Sequence, residues 1–157
     1  MTRLYGRAPR GQRVVGNVPR NWGQNVTLLA ALTPTGVTAT MTVEGATDTD
    51  VFCAYISRVL KPTLRRGDTV VLDNLSAHKA RQVRELVEGS GARLLYLPPY
   101  SPDLNPIEQC WSKIKTYLRG AKARTSGKLG DAIKRAFATV TESDARAWFE
   151  HCGYALR

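Results

Sequence analysis

The chain has 157 residues, which is long enough for one domain with a hydrophobic core. Its formal net charge is +10, and its 43% of hydrophobic residues excludes a disordered chain. No apolar run approaches the ~20 residues that a membrane-spanning helix needs, so we expect no membrane partner. The three cysteines (Cys53, Cys110 and Cys152) are scattered without metal-ligand spacing, and we expect reduced thiols in a cytoplasmic protein.

The positive charge is concentrated at the two ends of the chain. Residues 1–20 contain five arginines and no acid, and residues 109–157 contain ten Lys and Arg against four acids. A generic solvated surface is the alternative, but so large an imbalance on a small chain favours binding to a polyanion, nucleic acid above all.

The first half of the chain predicts a loop, a hairpin and a helix. Residues 1–24 are rich in Gly and Pro, although residues 12–18 could form a short strand. Residues 25–33 and 37–44 flank a Pro-Thr-Gly turn and predict a β-hairpin. Residues 47–64 predict an amphipathic helix that Thr47 or Asp48 caps, with Val51, Ala54, Tyr55 and Val59 on its apolar side.

The second half predicts two buried strands and four helices. The strands are residues 69–73 and 93–97, both short and apolar, and the first helix runs from Ser76 or Ala77 to Glu88. Three helices follow, over residues 105–121, 126–140 and 143–152. This order predicts one α/β domain with a mixed sheet, antiparallel at the hairpin and parallel where helices cross over.

Asp73 lies where open α/β sheets bind their ligands, at the carboxyl end of a buried strand. Asn74 and His78 add further polar groups to the same turn. The alternative is that Asp73 only forms an Asx turn that ends the strand.

Glu108 is, with Asp73, the second candidate metal ligand, and 34 residues lie between the two acids. Asn105 is a good N-cap and Glu108 occupies the third helical position, so a capping box is the alternative to a functional role. The helix pattern nevertheless separates two faces. One is an apolar stripe of Ile107, Trp111, Ile114, Leu118 and Ala121; the other is headed by Glu108 and continues through Ser112, Lys115, Arg119 and Lys122. A carboxylate at the head of a basic stripe is what a metal ligand beside a DNA backbone would look like.

These two segments resemble a known family. Asp73-Asn-Leu-Ser-Ala-His78 and Leu97-Pro-Pro-Tyr-Ser-Pro-Asp-Leu-Asn-Pro-Ile-Glu108 closely resemble the second and third acidic motifs of DDE-superfamily transposases, in the bacterial insertion-sequence branch related to mariner elements. The interval between the two acids also matches. Weaker likeness to the same branch occurs at Arg20-Asn-Trp-Gly-Gln-Asn-Val, Val43-Glu-Gly-Ala-Thr-Asp48 and Trp148-Phe-Glu-His-Cys-Gly-Tyr.

The resemblance implies a ribonuclease-H-like fold and a site in which three carboxylates bind two Mg²⁺ (or Mn²⁺) ions for DNA strand cleavage and strand transfer. Asp73 and Glu108 would be the second and third metal-binding, catalytic acids, with Asn74, His78 and Asn105 in supporting roles. The basic residues expected to contact DNA phosphates are Lys115, Arg119, Lys122, Arg124 and Lys128. The implied DNA partners are transposon ends and target, so we expect the cytoplasmic protein to be nucleoid-associated. The complete protein is expected to be a dimer.

The sequence departs from the family pattern in its N-terminal part. The family's first aspartate lies on the first sheet strand, yet residues 1–43 contain no Asp or Glu, and Glu44, Asp48 and Asp50 follow the hairpin in the wrong place. No helix-turn-helix segment is found. We therefore expect residues 1–157 to be a single, N-terminally truncated DDE catalytic domain, lacking its first strand and inactive alone, for which an upstream transposase polypeptide could supply the missing acid. The alternatives are a non-catalytic basic DNA-binding protein and a ribonuclease-H-like nuclease of branched DNA.

Overall fold

The structure, a computed structural model, describes residues 5–16 and 25–156. Residues 12–16 are irregular rather than a strand. The remainder of the possible strand at 12–18, and most of the motif that begins at Arg20, lie outside the described residues. In the described part of the chain, no helix is long and apolar enough to cross a membrane.

The predicted hairpin is confirmed. Strands β1 (Val26–Thr33) and β2 (Gly36–Glu44) pair in antiparallel fashion around the turn at Pro34 and Thr35. The register shifts between Leu29 and Ala31, where β2 contains one extra residue, and Ala39 on β2 takes a left-handed conformation with φ of 48°. An extra residue in one strand is a β-bulge, which reverses the faces of the side chains that follow it.

The helix predicted over residues 47–64 forms with a different geometry and a different buried face. Helix α1 (Thr49–Tyr55) continues as a π-helical turn (Ile56–Leu60) and a 3₁₀ turn (Lys61–Thr63), and the Asp48 carboxylate caps it by accepting from the Val51 amide at 2.9 Å. The predicted apolar side is confirmed for Tyr55, which is buried, and for Val59, which packs against the core, but Val51 and Ala54 are not part of it. The buried face is Phe52, Cys53, Tyr55, Ile56 and Leu60.

Strands β3 (Thr69–Leu72) and β4 (Arg93–Tyr96) pair in parallel. The sequence predicted two buried strands, with residues 69–73 buried on both faces, but only one face of the pair lies in a core. Val70, Leu72 and Leu94 face one hydrophobic core, while Leu95 on the other side is 52% exposed. An apolar run of four or five residues cannot by itself show whether a second layer covers a strand. The helix predicted between these strands is split into a 3₁₀ turn (Ser76–Lys79) and helix α2 (Arg81–Glu88), since Ala80 is extended with ψ of 137°.

The three C-terminal helices are confirmed as α3 (Pro106–Ala121), α4 (Ser126–Ala138) and α5 (Glu142–His151), each with bounds within a few residues of those predicted. The apolar stripe of α3 packs into the core as expected except at its end, where Ala121 is exposed. Cys110 replaces it as a fully enclosed member of that core. The three cysteines are free and buried, as expected of reduced thiols.

Two hydrophobic cores lie on opposite faces of the hairpin. Leu29, Ala31 and Met41 pack against the core formed by α1 and α2, and Leu28 and Leu32 pack against the core formed by α3 and α4. The domain is therefore an α/β layer structure with helices on both sides of the strands. A single mixed sheet was expected, but the described strands form two separate two-stranded sheets, β1 with β2 and β3 with β4.

Candidate metal centre

Asp73 follows the last residue of β3, and one of its two carboxylate oxygens is held firmly. Oδ1 accepts from the backbone amide of Leu75 at 3.0 Å and lies 2.6 Å from Nδ1 of His78. The Asx turn that was the plain alternative is thus present, but it uses Oδ1 alone. Within the described ranges Oδ2 has no hydrogen-bond partner, so the turn orients the carboxylate and leaves one oxygen available to a cation.

His78 is itself held in place. Its ring packs against Phe52 with centroids 4.1 Å apart, its side chain is 17% exposed, and its backbone carbonyl accepts from the Tyr96 hydroxyl at 2.7 Å. A carboxylate oxygen accepts, so Nδ1 of His78 is the donor in the short contact with Asp73. The contact of Tyr96 with His78 spans 18 residues, and no local sequence pattern indicated it.

Glu108 lies in the first turn of α3, and the capping box that would have explained it is not formed. The Asn105 side chain makes no capping hydrogen bond, so the expectation that it caps this helix was wrong. The Glu108 amide is instead satisfied by the backbone carbonyl of Asn105 at 3.1 Å. The Glu108 carboxylate is exposed, with no hydrogen bond or ion pair to another described residue. Its orientation is therefore open to an external partner.

The structure brings Asp73 and Glu108 together in one open cleft of about 240 Å³. The cleft lies between the carboxyl ends of β3 and β4 and the proline-rich segment before α3. Apart from the two acids, its walls are formed by Asn74, Leu75, Leu97, Pro98, Tyr100, Ser101, Pro102 and Asn105. Among residues 5–16 and 25–156 there is no group of three His, Cys, Asp or Glu side chains that could enclose a metal ion.

Long-range hydrogen bonds fix the walls of this cleft. The Asn74 side-chain amide donates to the Leu97 carbonyl, and the Leu97 amide donates to the Leu72 carbonyl at 2.8 Å, so the ends of β3 and β4 are fastened to each other. The Tyr154 hydroxyl donates to the Leu104 carbonyl at 2.9 Å and holds the segment that leads into α3. The supporting role predicted for Asn74 thus has a specific hydrogen bond behind it. Tyr154, the last residue of the motif that begins at Trp148, has a structural role that the sequence interpretation did not assign.

The basic residues selected from the sequence lie outside the cleft, along one side of α3 and the start of α4. Lys115, Arg119, Lys122 and Lys128 are exposed, as is Arg124. At 1.5 Å per residue, Lys115 and Arg119 lie about 10 and 16 Å along the helix axis from Glu108. The surface therefore continues from the carboxylates into a row of positive charge.

Comparison with known proteins identifies the family and the fold. A family model described as DDE superfamily endonuclease matches residues 1–130. The chain is 23% identical over 128 residues to the Tcb2 transposase of Caenorhabditis briggsae, which covers 79% of the chain and 47% of that protein. It is 32% identical over 95 residues to an uncharacterized 39 kDa protein of insertion element IS630 from Shigella sonnei, covering 58% of the chain and 27% of that protein.

A solved structure shows the same fold. The crystal structure of the Mos1 mariner paired-end complex with Mn superposes with a TM-score of 0.70 at 18% identity, over 97% of this chain and 48% of that one. This likeness confirms the expected α/β, ribonuclease-H-like fold. The chain spans about half of that structure and of the Tcb2 transposase, and a smaller share of the IS630 protein. The match of the family model over most of its length places the chain in the DDE superfamily endonuclease family.

Proposed function

We propose that this chain is part of a transposase catalytic domain in which Asp73 and Glu108 hold a divalent cation for cleavage and joining of DNA strands. The observation that carries the proposal is that two acids separated by 34 residues line one cleft, each with carboxylate oxygen left without a partner in the described part of the chain. The matching family and the fold shared with a transposase that was crystallised with Mn support it.

The donor set fits Mg²⁺ or Mn²⁺. Both ions prefer hard, anionic oxygen ligands, and the cleft offers carboxylates and no thiolate. When bound, such an ion supplies Lewis-acid stabilisation of charge on phosphate oxygens. The chain's own contribution is to orient the Asp73 carboxylate through His78 and the Leu75 amide, and to present Glu108 from the rigid start of α3.

The remaining part of the proposal concerns the source of the third metal-binding carboxylate. No third carboxylate accompanies the pair in the described residues, and β1 and β3 belong to separate sheets. We infer that a strand from an upstream transposase polypeptide joins these two edges and brings the missing aspartate to the cleft. Catalysis by residues 1–157 alone is then undetectable, because in-line displacement needs both ions in place and a misplacement of about 1 Å can cost about 10²-fold in rate.

DNA is the proposed partner, bound through its phosphates. The exposed row Lys115, Arg119, Lys122, Arg124 and Lys128 suits a backbone that passes the cleft. If all five neutralise phosphates of duplex DNA, log affinity should fall with log salt with a slope of about −4.5, and binding should not depend on sequence.

Binding of Mn²⁺ to the isolated chain, followed by electron paramagnetic resonance, tests the metal site. Asp73→Asn and Glu108→Gln should each weaken binding by about tenfold or more, since affinity depends on the number of charged ligands. Asp103→Asn is the matched control, because Asp103 is an exposed acid of the same segment that does not line the cleft, and it should leave binding unchanged. Equal affinity in all variants would contradict the proposal.

Nicking of labelled DNA separates the proposal from its alternatives. The chain alone should show none, and adding the upstream segment should restore a Mg²⁺-dependent activity that Asp73→Asn abolishes. Salt-dependent DNA binding with neither metal binding nor restored nicking would instead indicate a non-catalytic DNA-binding protein. Robust nicking by residues 1–157 would show that the third ligand lies within them.

A further inference from the structure

One side chain at the rim of the cleft combines two unfavourable features. Tyr100 is fully exposed, and its φ is 58°, in the left-handed region. For an L-residue with a bulky side chain this conformation is disfavoured, because Cβ approaches the following carbonyl oxygen. An exposed aromatic ring adds apolar surface that water does not favour.

In the described part of the chain, two other residues that are not glycine are left-handed, and local structure accounts for both. It does not account for a tyrosine at position 100. Ala39 lies at the β-bulge of the hairpin, and Lys122 is the C-cap of α3, where a left-handed residue commonly ends a helix. Tyr100 follows Pro98 and Pro99 in a tight turn. A left-handed residue after proline is the position at which turns normally use glycine. Glycine would satisfy the turn without strain, so the ring itself requires a reason.

The residues around Tyr100 indicate which kind of ligand its ring contacts. It lines the same cleft as Asp73 and Glu108, beside the apolar groups of Leu75 and Pro98. Leu75 is 59% exposed, so the cleft that contains the two acids also presents apolar surface to solvent beside Tyr100. Exposed aromatic rings beside a phosphate-binding surface bind single-stranded nucleic acid by stacking on bases, which requires no base-specific hydrogen bond.

We propose that Tyr100 stacks on an unpaired nucleobase of the DNA strand whose phosphate lies in the cleft. This inference rests on the proposed function and deepens it, because it assigns the substrate class as a strand end or a locally opened duplex. The prolines before and after Tyr100 restrict the backbone that carries the ring, which limits the backbone entropy lost on stacking. Tyr100 is then a substrate-positioning residue, whereas Asp73 and Glu108 contact the phosphate through the bound cation.

The test uses the full chain with Mg²⁺ present, because a phosphate approaches two carboxylates only through a cation, and two fluorescent DNA probes. Both are the same short duplex with a single-stranded overhang, and in one of them the overhang is abasic, so the phosphates are unchanged while the bases are absent. Fluorescence anisotropy gives the affinity for each. The unmutated chain should bind the overhang that contains bases about tenfold more tightly, a typical effect of stacking on one base.

Tyr100→Gly is the informative variant, because glycine adopts a φ of 58° without strain and the fold should be at least as stable. It should lose the tenfold preference and bind both probes alike, and Tyr100→Phe should retain the preference. Lys115→Ala combined with Arg119→Ala should weaken binding of both probes equally, because those side chains address phosphates.

The outcomes distinguish the two proposals. If Tyr100→Gly binds the overhang that contains bases as tightly as the unmutated chain, the stacking role is overturned while the proposed function stands. If the unmutated chain binds neither probe even at low salt, the proposed function fails and the stacking role fails with it. Thermal unfolding of each variant verifies that a lost preference does not come from a lost fold.

Discussion

The contact between His78 and Asp73 can be removed with little disturbance of the packing around it. His78→Phe keeps an aromatic ring against Phe52, where the centroids are now 4.1 Å apart, and deletes Nδ1, which lies 2.6 Å from the Asp73 carboxylate. The carboxylate retains its bond from the Leu75 amide at 3.0 Å. The variant therefore loosens a proposed metal ligand without unfolding the turn that carries it.

The size of the effect follows from the exposure of the two partners. A hydrogen bond to a charged group contributes about 1.5–3 kcal/mol when well buried. Here the His78 side chain is 17% exposed and that of Asp73 is 38% exposed, so solvent screening places the value at the lower end of that range. Since about 1.4 kcal/mol is a factor of ten, Mn²⁺ affinity should fall about tenfold, as is usual when a group that orients a metal ligand is lost.

Titration of Mn²⁺ by electron paramagnetic resonance measures this loss, with thermal unfolding recorded in parallel. His151→Phe is the matched control, because His151 is exposed at the end of α5 and does not line the cleft. We expect the unfolding midpoint of His78→Phe to stay close to that of the unmutated chain. Unchanged Mn²⁺ affinity in a folded His78→Phe protein would refute the view that this histidine orients the ligand.

Two further predictions concern stability. Tyr55→Phe should leave the free energy of unfolding, measured by urea titration, unchanged or raise it by up to about 1–3 kcal/mol. The reason is that the Tyr55 hydroxyl is buried without a hydrogen-bond partner in the described part of the chain, and burial raises its pKa. Clear destabilisation would reveal a partner elsewhere. Donation from Lys113, and from the Thr141 amide and hydroxyl, lowers the pKa of Asp144 from 3.8 to about 2. This carboxylate therefore stabilises the fold above about pH 4 and ceases to do so as the pH falls toward 2, so thermal unfolding of Asp144→Asn should depend less on pH over that window than that of the unmutated chain. Parallel curves for the two proteins would contradict the assigned partners.

The sequence by itself determined the elements that depend on local pattern and the candidate residues for the chemistry. The hairpin around Pro34, a cap at Thr47 or Asp48 and the three C-terminal helices follow from turn residues, capping and periodicity, which act over a few neighbouring positions. Asp73 and Glu108 were selected because their flanking motifs are specific. The separate sheets and the single buried face of β3 and β4 were not foreseen, because an apolar run is equally compatible with one covered face or two.

Only the tertiary structure decided how the site is assembled. The bond from Asn74 to Leu97 joins residues 23 positions apart, and that from Tyr154 to Leu104 joins residues 50 positions apart. Such contacts exist only after the chain has folded, since nothing in either local sequence specifies the distant partner. The same holds for Glu108. A glutamate at this helical position fits both a capping box and a cation ligand. The structure shows that the cap is not formed and that Glu108 lines the cleft with Asp73, which leaves the cation ligand as the proposal.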